Sequence, residues 1–459
     1  MVRLVRLVGN EDPRSSVSEA RQCAYRVVRR VSDGEAFADR AFRGEADRSG
    51  LGGRDRAFAQ QLAYGTVQRT GTLDYVLTAV SSRPIESIDP ALRDILRLGV
   101  FQLVYLGGVP DHAAVSQTVE LAKLEAGRGH RFANALMRRA AREGRELVSE
   151  LTDDSPAEAA VRHSHPEWLV RMWWDALGSA ATLALLEQDN RAPERAVRAN
   201  ELLVTPAELR ELLAGAGVRS LPPDGPPEAI VLASPFDLHG SDLFERGALM
   251  PQSRGSMLVG HVLAPEAGER VLDLCAAPGA KTTHLAALMQ GRGTLVAVER
   301  HGGRSDALRR NCVRMGAGWV DVRTADASSL ELGEPGFDRV LLDPPCSDLG
   351  TLQSRPDVRW RKTPAMIAEL AAVQRRLLDA AAQRVRAGGT LVYSTCTISP
   401  DENERLVDEF LAARPDFEPD DLGTERPEYR HPSAPRFLQV LPHRHGTDGF
   451  FIARLRRAS

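Results

Sequence analysis

The chain has 459 residues, 43% apolar and 26% charged, and its 38 Gly and 28 Pro are far below collagen-like or low-complexity levels. A peptide, a fibre or a disordered chain is therefore excluded, and about two to four packed domains of a soluble protein are expected. Lys and Arg number 59 against 62 Asp and Glu, so the net charge of −3 excludes capture of a polyanion through an overall positive field.

Residues 1–15 read as a flexible, polar lead-in: arginines interrupt its apolar residues, and no run long enough for a membrane span follows anywhere. The five cysteines (Cys23, Cys275, Cys312, Cys346, Cys396) form no CxxC pair and are odd in number. That argues against a disulfide framework or zinc finger and for a reducing, cytoplasmic setting.

From 16 to 147 the pattern is helical. Ala20, Cys23, Ala24, Val27, Val28 and Val31 recur on one helix face, Asp89-Pro90 and Pro110-Asp111 open further helices, and Gly107-Gly108 ends the one between. Residues 1–150 hold 23 basic and 19 acidic side chains, leaving 36 and 43 for the rest, so a slightly basic helical front precedes an acidic body. Only Lys123, Lys281 and Lys362 are lysines, a bias best explained by composition.

Between 148 and 245 the texture turns mixed and ends near the Pro/Gly cluster LPPDGPPE, as in a small α+β connector. His163 and His165 flank Ser164 before a proline, and two histidines fall short of the three or four ligands a zinc site needs, so no metal is expected. From 246 to 459 short apolar strands alternate with helical stretches (RVLDLC, TLVAVE, VDVRTAD, FDRVLLDPP, GTLVYSTC). This is the pattern of a doubly wound α/β sheet, whose ligands lie beyond the carboxyl ends of its strands.

The residues at those ends suggest a cofactor. VLDLC runs into AAPGAKTTH, where Ala276, Ala277 and Gly279 permit close backbone approach and a helix start offers free N–H groups. The spacing is neither GxGxxG nor GxxxxGK[ST]. Glu299 ends the next strand, where an acid can accept both ribose hydroxyls, and Asp326 ends the third, within reach of an adenine amino group. Ribose and adenine without a phosphate cradle point to S-adenosylmethionine. The fourth and fifth strands end in Cys346 and Cys396; if they are neighbours, about 4.8 Å apart, both thiols face one pocket beside Asp343.

These motifs resemble the RNA (cytosine-5)-methyltransferases, specifically the bacterial small-subunit ribosomal RNA enzymes of the RsmB/Sun (Fmu) type, and the resemblance covers nearly the whole chain. LCAAPGAKTTH is similar to the family's cofactor loop, DPPCS and STC to its two cysteine motifs, SPDENE to the signature that follows, and HGTDGFFIARL to its C-terminal strand. The front, from RQCAYRVVRRV to RFANALMRRAARE, resembles the NusB-like RNA-binding domain of that branch. The implied architecture is an all-α NusB-like bundle, a small α+β connector and a Rossmann-like class I methyltransferase domain.

The resemblance also implies roles: Cys396 as nucleophile, Cys346 as the cysteine assisting enzyme release, and Asp343 as the acid that meets the base. Cys275, Ala276, Ala277, Pro278, Gly279, Ala280, Lys281, Glu299, Arg304 and Asp326, with Asp343, would line the S-adenosylmethionine site. Ribosomal RNA in a single-stranded or loop form is the expected partner, because the target base must leave its stack. A monomer without metal or membrane is expected. Two rivals are a DNA cytosine-5 methyltransferase, whose nucleophile is the cysteine of the PC motif, and a non-catalytic RNA-binding or antitermination scaffold. The chain departs from the family pattern at Ala280 (Gly is usual), Glu299 (Asp is commoner), Asp348 (a small residue is usual) and PQSRGS at 251–256 (VQD-like is typical), which bears on substrate fit.

Overall fold

A computed structural model describes residues 17–222, 224–234, 236–328 and 336–459; the lead-in expected over 1–15 lies outside them. Two compact units emerge, the first holding the described residues to Val170 together with Arg355–Trp360, the second holding Arg171–Ser354 and Arg361–Ser459.

The first unit is helical: α1 (Glu19–Ser32), α2 (Ala38–Arg48), α3 (Gly53–Gln68), α4 (Thr70–Val80), α5 (Pro90–Tyr105), α6 (Asp111–Ala126), α7 (His130–Ser149) and α8 (Pro156–His163). The predicted face of α1 is the buried one, with Ala20, Cys23, Ala24, Val27 and Val28 in a core shared with Leu73, Val76, Leu77, Ile95 and Leu96. Asp89 caps α5 by accepting the N–H groups of Ala91 and Leu92 at 3.0 and 3.2 Å, as the Asp-Pro signal requires. The segment Arg355–Trp360 completes this unit. Arg359 is fully buried and donates to Ser164 O at 3.1 Å, and the Trp360 indole N–H donates to Val67 O at 2.8 Å.

After α9 (Glu167–Leu177), within which the division falls, come α10 (Ser179–Gln188) and a small antiparallel sheet ordered β2-β1-β3. It comprises β1 (Ala196–Ala199), β2 (Ala229–Val231) and β3 (Leu249–Pro251), with α11 (Pro206–Gly215) and the short α12 (Asp242–Glu245) between them. These strands have only three or four residues, too few for an alternating pattern to mark them in the sequence.

The large sheet is built from β4 (Arg270–Leu274), β5 (Thr294–Glu299), β6 (Asp321–Thr324), β7 (Phe337–Leu342), β8 (Val385–Thr395), β9 (Phe417–Pro419), β10 (Leu438–Val440) and β11 (Phe450–Arg457). Its order is β10-β11-β8-β7-β4-β5-β6, with β9 also pairing β11. The five predicted strands run parallel, and β9, β10 and β11 add an antiparallel flank. The helices of this part are α13 (Arg254–Leu263), α14 (Ala280–Leu288), α15 (Gly302–Arg314), α17 (Pro364–Ala382) and α18 (Glu404–Ala413), whereas the short α16 (Val358–Arg361) lies mostly in the segment that belongs to the first unit. Alternating strand residues feed two cores: Leu272 and Leu274 pack with Leu377, Leu378 and Leu406, whereas Val271 packs with Val259, Leu285 and Leu308. Helices thus cover both faces, and the chain reverses its direction of winding between β4 and β7, where a doubly wound sheet opens a crevice.

Candidate active site

The loop leaving β4 owes its shape to two left-handed residues, Cys275 at φ +63° and Gly279 at φ +105°. A Cβ on Gly279 would also come within 2.7 Å of Leu308 Cδ1, so glycine is required there on both counts. Ala280, by contrast, is the first residue of α14 and outside the left-handed region, so the absent second glycine costs this loop nothing. From α15, Arg304 donates to Ala277 O at 2.8 Å and Asn311 to Pro278 O at 2.8 Å, holding the loop against the sheet. Behind it Asp273 is buried and accepts from Thr282 Oγ1 at 2.7 Å; burial pushes its carboxyl up to about 7.

Glu299 closes β5 one strand away. Its Oε1 accepts the His301 N–H at 2.9 Å, while Oε2 makes no hydrogen bond among the described residues and lies 3.6 Å from Arg304 Nε. Arg304 thus braces both the loop and this acid. Asp326 stands apart, beyond edge strand β6, partly exposed, with Oδ1 taken by the N–H and hydroxyl of Ser328 at 2.9 and 2.6 Å.

The registers of β7 and β8 make Leu342 and Tyr393 neighbours, and the loops beyond them bring the two cysteines together. Cys346 Sγ and Cys396 Sγ are 3.3 Å apart. Asp343 Oδ2 accepts from Lys281 Nζ at 2.7 Å and Oδ1 from Ser394 Oγ at 2.9 Å. Lys281 is largely shielded from water, which opposes its charge, but the pairing with Asp343 outweighs this and raises its pKa. The thiol of Cys396 is pushed well above the ordinary value by its bond with Cys346, by burial and by the nearby carboxylates of Asp348 and Asp343. It donates to Asp348 Oδ1 at 3.0 Å, with Cys346 Sγ 3.9 Å from the same oxygen.

Asp348, expected from the sequence to bear on substrate fit, lies beside the Cys396 thiol, a contact the sequence did not indicate. It stands in left-handed backbone at φ +61°, normally glycine territory, with its carboxylate on the thiol. Its only sequence signal was its departure from the family pattern. Glu402 and Gln374 were missed as supports. Glu402 Oε1 accepts the Ser347 N–H at 2.9 Å and Gln374 Nε2 at 2.9 Å; Gln374 also donates to Pro345 O, and Ser347 Oγ bonds both Glu402 and Thr397. Asn403 ties Thr395 Oγ1 and Thr397 O on the other loop. The SPDENE stretch therefore fixes both cysteine loops.

Comparison with known proteins then bears on which enzymes carry this arrangement. Residues 260–456 match the 16S rRNA methyltransferase RsmB/F family, 18–142 the NusB family, and 165–239 a ferredoxin-like domain of RsmF/B-like methyltransferases. The "Probable ribosomal RNA small subunit methyltransferase B" of Synechocystis is 36% identical over 447 residues, 96% of this chain and 99% of that one. The chain belongs to the RsmB/F family of rRNA methyltransferases. The ribosomal RNA small subunit methyltransferase B of Salmonella typhi is 33% identical over 88% of this chain and 90% of its own length. In the crystal structure of PH0851, a fold at 27% identity covers 96% of this chain and all of that one, with a TM-score of 0.82.

The enzyme's cofactor is S-adenosylmethionine. The residues present fit it: a loop of small residues opening α14, and the buried acid Glu299 with one oxygen open to a ribose. No helix among the described residues is long and apolar enough to cross a membrane.

Proposed function

We propose that this rRNA methyltransferase methylates C5 of a cytosine through a covalent bond between Cys396 and C6. The carrying observation is the pair of thiols 3.3 Å apart at the ends of adjacent strands, with Asp343 on the same edge. Cytosine C5 is a poor nucleophile until a thiolate adds at C6 and drives electron density onto C5. S-adenosylmethionine, when bound, supplies the electrophilic methyl group. Lys281 passes a proton through Asp343 to ring N3 as the thiolate adds, which neutralises the charge that develops there, and takes it back when the adduct collapses.

Cys396 loses its proton to Asp348 as the S–C6 bond forms. After methyl transfer a water ordered by Cys346 carries the C5 proton to solvent; the S–C6 bond breaks with its electron pair on sulfur, and Cys396 recovers its proton from Asp348. The decisive test uses ribosomal RNA carrying tritium at cytosine C5. Cofactor-dependent release of tritium into water supports the reading, whereas methylation without release sinks it. Membership in an rRNA methyltransferase family disfavours both the DNA enzyme and the inert scaffold.

Glu299→Ala should weaken S-adenosylmethionine binding by about 1–3 kcal/mol, the cost of losing hydrogen bonds to a charged group. Calorimetry giving an unchanged Kd would remove Glu299 from the ribose site.

Asp348→Asn separates two effects of that carboxylate. Without its negative charge the Cys396 thiol should fall towards the ordinary value and alkylate faster with iodoacetamide near neutrality, since a nearby like charge disfavours the thiolate. Without a proton acceptor, bonding to RNA should nonetheless slow by about 10²-fold. If both rates match the wild type, Asp348 has no part in proton transfer.

The helical unit, taken as the module that docks RNA, carries Arg131, Arg138 and Arg142 exposed on α7 at i, i+7 and i+11, one face of the helix. Replacing all three with Ala should lower the slope of log affinity against log salt by about 2, at roughly 0.7 per lost phosphate contact on single-stranded RNA. A slope that does not change would place the RNA elsewhere.

A further inference from the structure

A second cluster of reactive side chains lies away from the cysteines, around the small sheet. Glu228 is fully buried just before β2, where its backbone carbonyl accepts the Ala199 N–H at 2.9 Å. Its side chain meets two imidazoles: His261 Nε2 from α13 lies 2.9 and 3.1 Å from the two carboxylate oxygens, and His284 Nε2 from α14 lies 2.9 Å from Oε1. The donor atoms of all three lie within 4.8 Å of one another.

His284 is the telling member. It is fully buried, its Nδ1 has no hydrogen-bond partner among the described residues, and its Nε2 has only the Glu228 carboxylate, 2.9 Å away. A buried imidazole left so is costly unless something else takes its lone pair. The ring's place is also built: a Cβ on Gly260 would fall 2.6 Å from its Nδ1.

We propose that Glu228, His261 and His284 hold a divalent transition-metal ion in a site separate from the active-site cysteines. With metal–ligand bonds of about 2.1 Å, donors at right angles stand about 3.0 Å apart, which both N–O separations match. Two imidazoles and one carboxylate, with further positions left for water, suit zinc and its neighbours rather than calcium or magnesium. The charges agree. Glu201 lies near enough for the charge of Glu228, after burial itself, to raise its carboxyl, while Arg198, held by Gln252 and Thr283, offsets one of the two carboxylates. His261, partly exposed, gives an ion a route in from solvent. In the sequence the three ligands are 33 and 23 residues apart, so no motif announces them.

Because Cys346, Asp348 and Cys396 also bring metal-binding atoms together, the test uses the full chain carrying Cys346→Ser and Cys396→Ser. After chelator treatment, equilibrium dialysis should show one Zn2+ bound per chain. Co2+ should give visible d–d bands without the near-ultraviolet absorption of a thiolate ligand. His261→Ala and Glu228→Gln, each made in that background, should weaken Zn2+ binding at least tenfold and erase the bands. Zn2+ should raise the Tm of the parent chain and not that of His261→Ala. Failure of the parent to bind Zn2+ stoichiometrically, or binding that survives both replacements, overturns the proposal and leaves a metal-free network of one carboxylate and two imidazoles. If one variant fails to fold, the other and the Tm shift of the parent still decide.

Discussion

Cys396→Ala should reduce methyl transfer to RNA to below about 10⁻³ of the wild-type rate, because the proposed mechanism gives addition at C6 to this thiol alone and no uncatalysed route to C5 competes. Binding of S-adenosylmethionine should change by less than about twofold. The loop at 275–279, its supports Arg304 and Asn311, and the Lys281–Asp343 pair do not depend on the Cys396 sulfur. A filter assay with tritiated cofactor measures the first quantity and calorimetry the second. Full activity in the variant would shift the nucleophile to Cys346 and make the chemistry that of the DNA enzymes. Loss of cofactor binding alongside activity would mean that the side chain holds the pocket together.

Cys346→Ala should produce an enzyme caught on its product. On the proposed mechanism, once C5 carries both a methyl group and a proton the S–C6 bond breaks only when that proton leaves, and Cys346, beside Cys396 Sγ, would order the water that takes it. Denaturing gels should then show a protein–RNA band that requires S-adenosylmethionine and vanishes when Cys396 is replaced as well. Multiple turnovers should fall to about one per enzyme. If instead Cys346 only fills space behind the Pro344–Pro345 turn, its loss should cost a modest amount of stability, with normal turnover and no trapped band. Cys346 is 7% exposed, so some loss of packing accompanies either outcome.

Much of this site could be read in the sequence because its parts are local. The strand-loop-helix around Gly279, the acid closing β5 and the cysteines closing β7 and β8 each carry their own signal of apolar run followed by small or turn-forming residues. What could not be read depends on pairing between distant segments. The ion pair of Lys281 with Asp343 spans 62 residues and requires β4 and β7 to be neighbours. Gln374, inside an ordinary amphipathic helix, becomes a brace only because α17 passes behind Pro345 and Glu402. Asp348 was visible as a departure from the family pattern, but that its carboxylate meets the Cys396 thiol at 3.0 Å depends on two loops 48 residues apart and could not be read. The three-residue strands were unreadable for a different reason, since their pairing partners define them rather than their own pattern.

The helical unit's use of Arg355–Trp360 has a consequence for how the protein is made. A chain emerging from the ribosome can pack α1–α8 early, but Val67 O and Ser164 O must wait for their partners Trp360 and Arg359. About 190 residues separate Val170 from Trp360, which at roughly 5–20 residues per second is a delay of about 10–40 s. During that interval the front module exists without its last piece. Its completion therefore reports that most of the catalytic module's sequence has already been synthesised, and a gene cut after residue 170 would release a bundle that can never be finished.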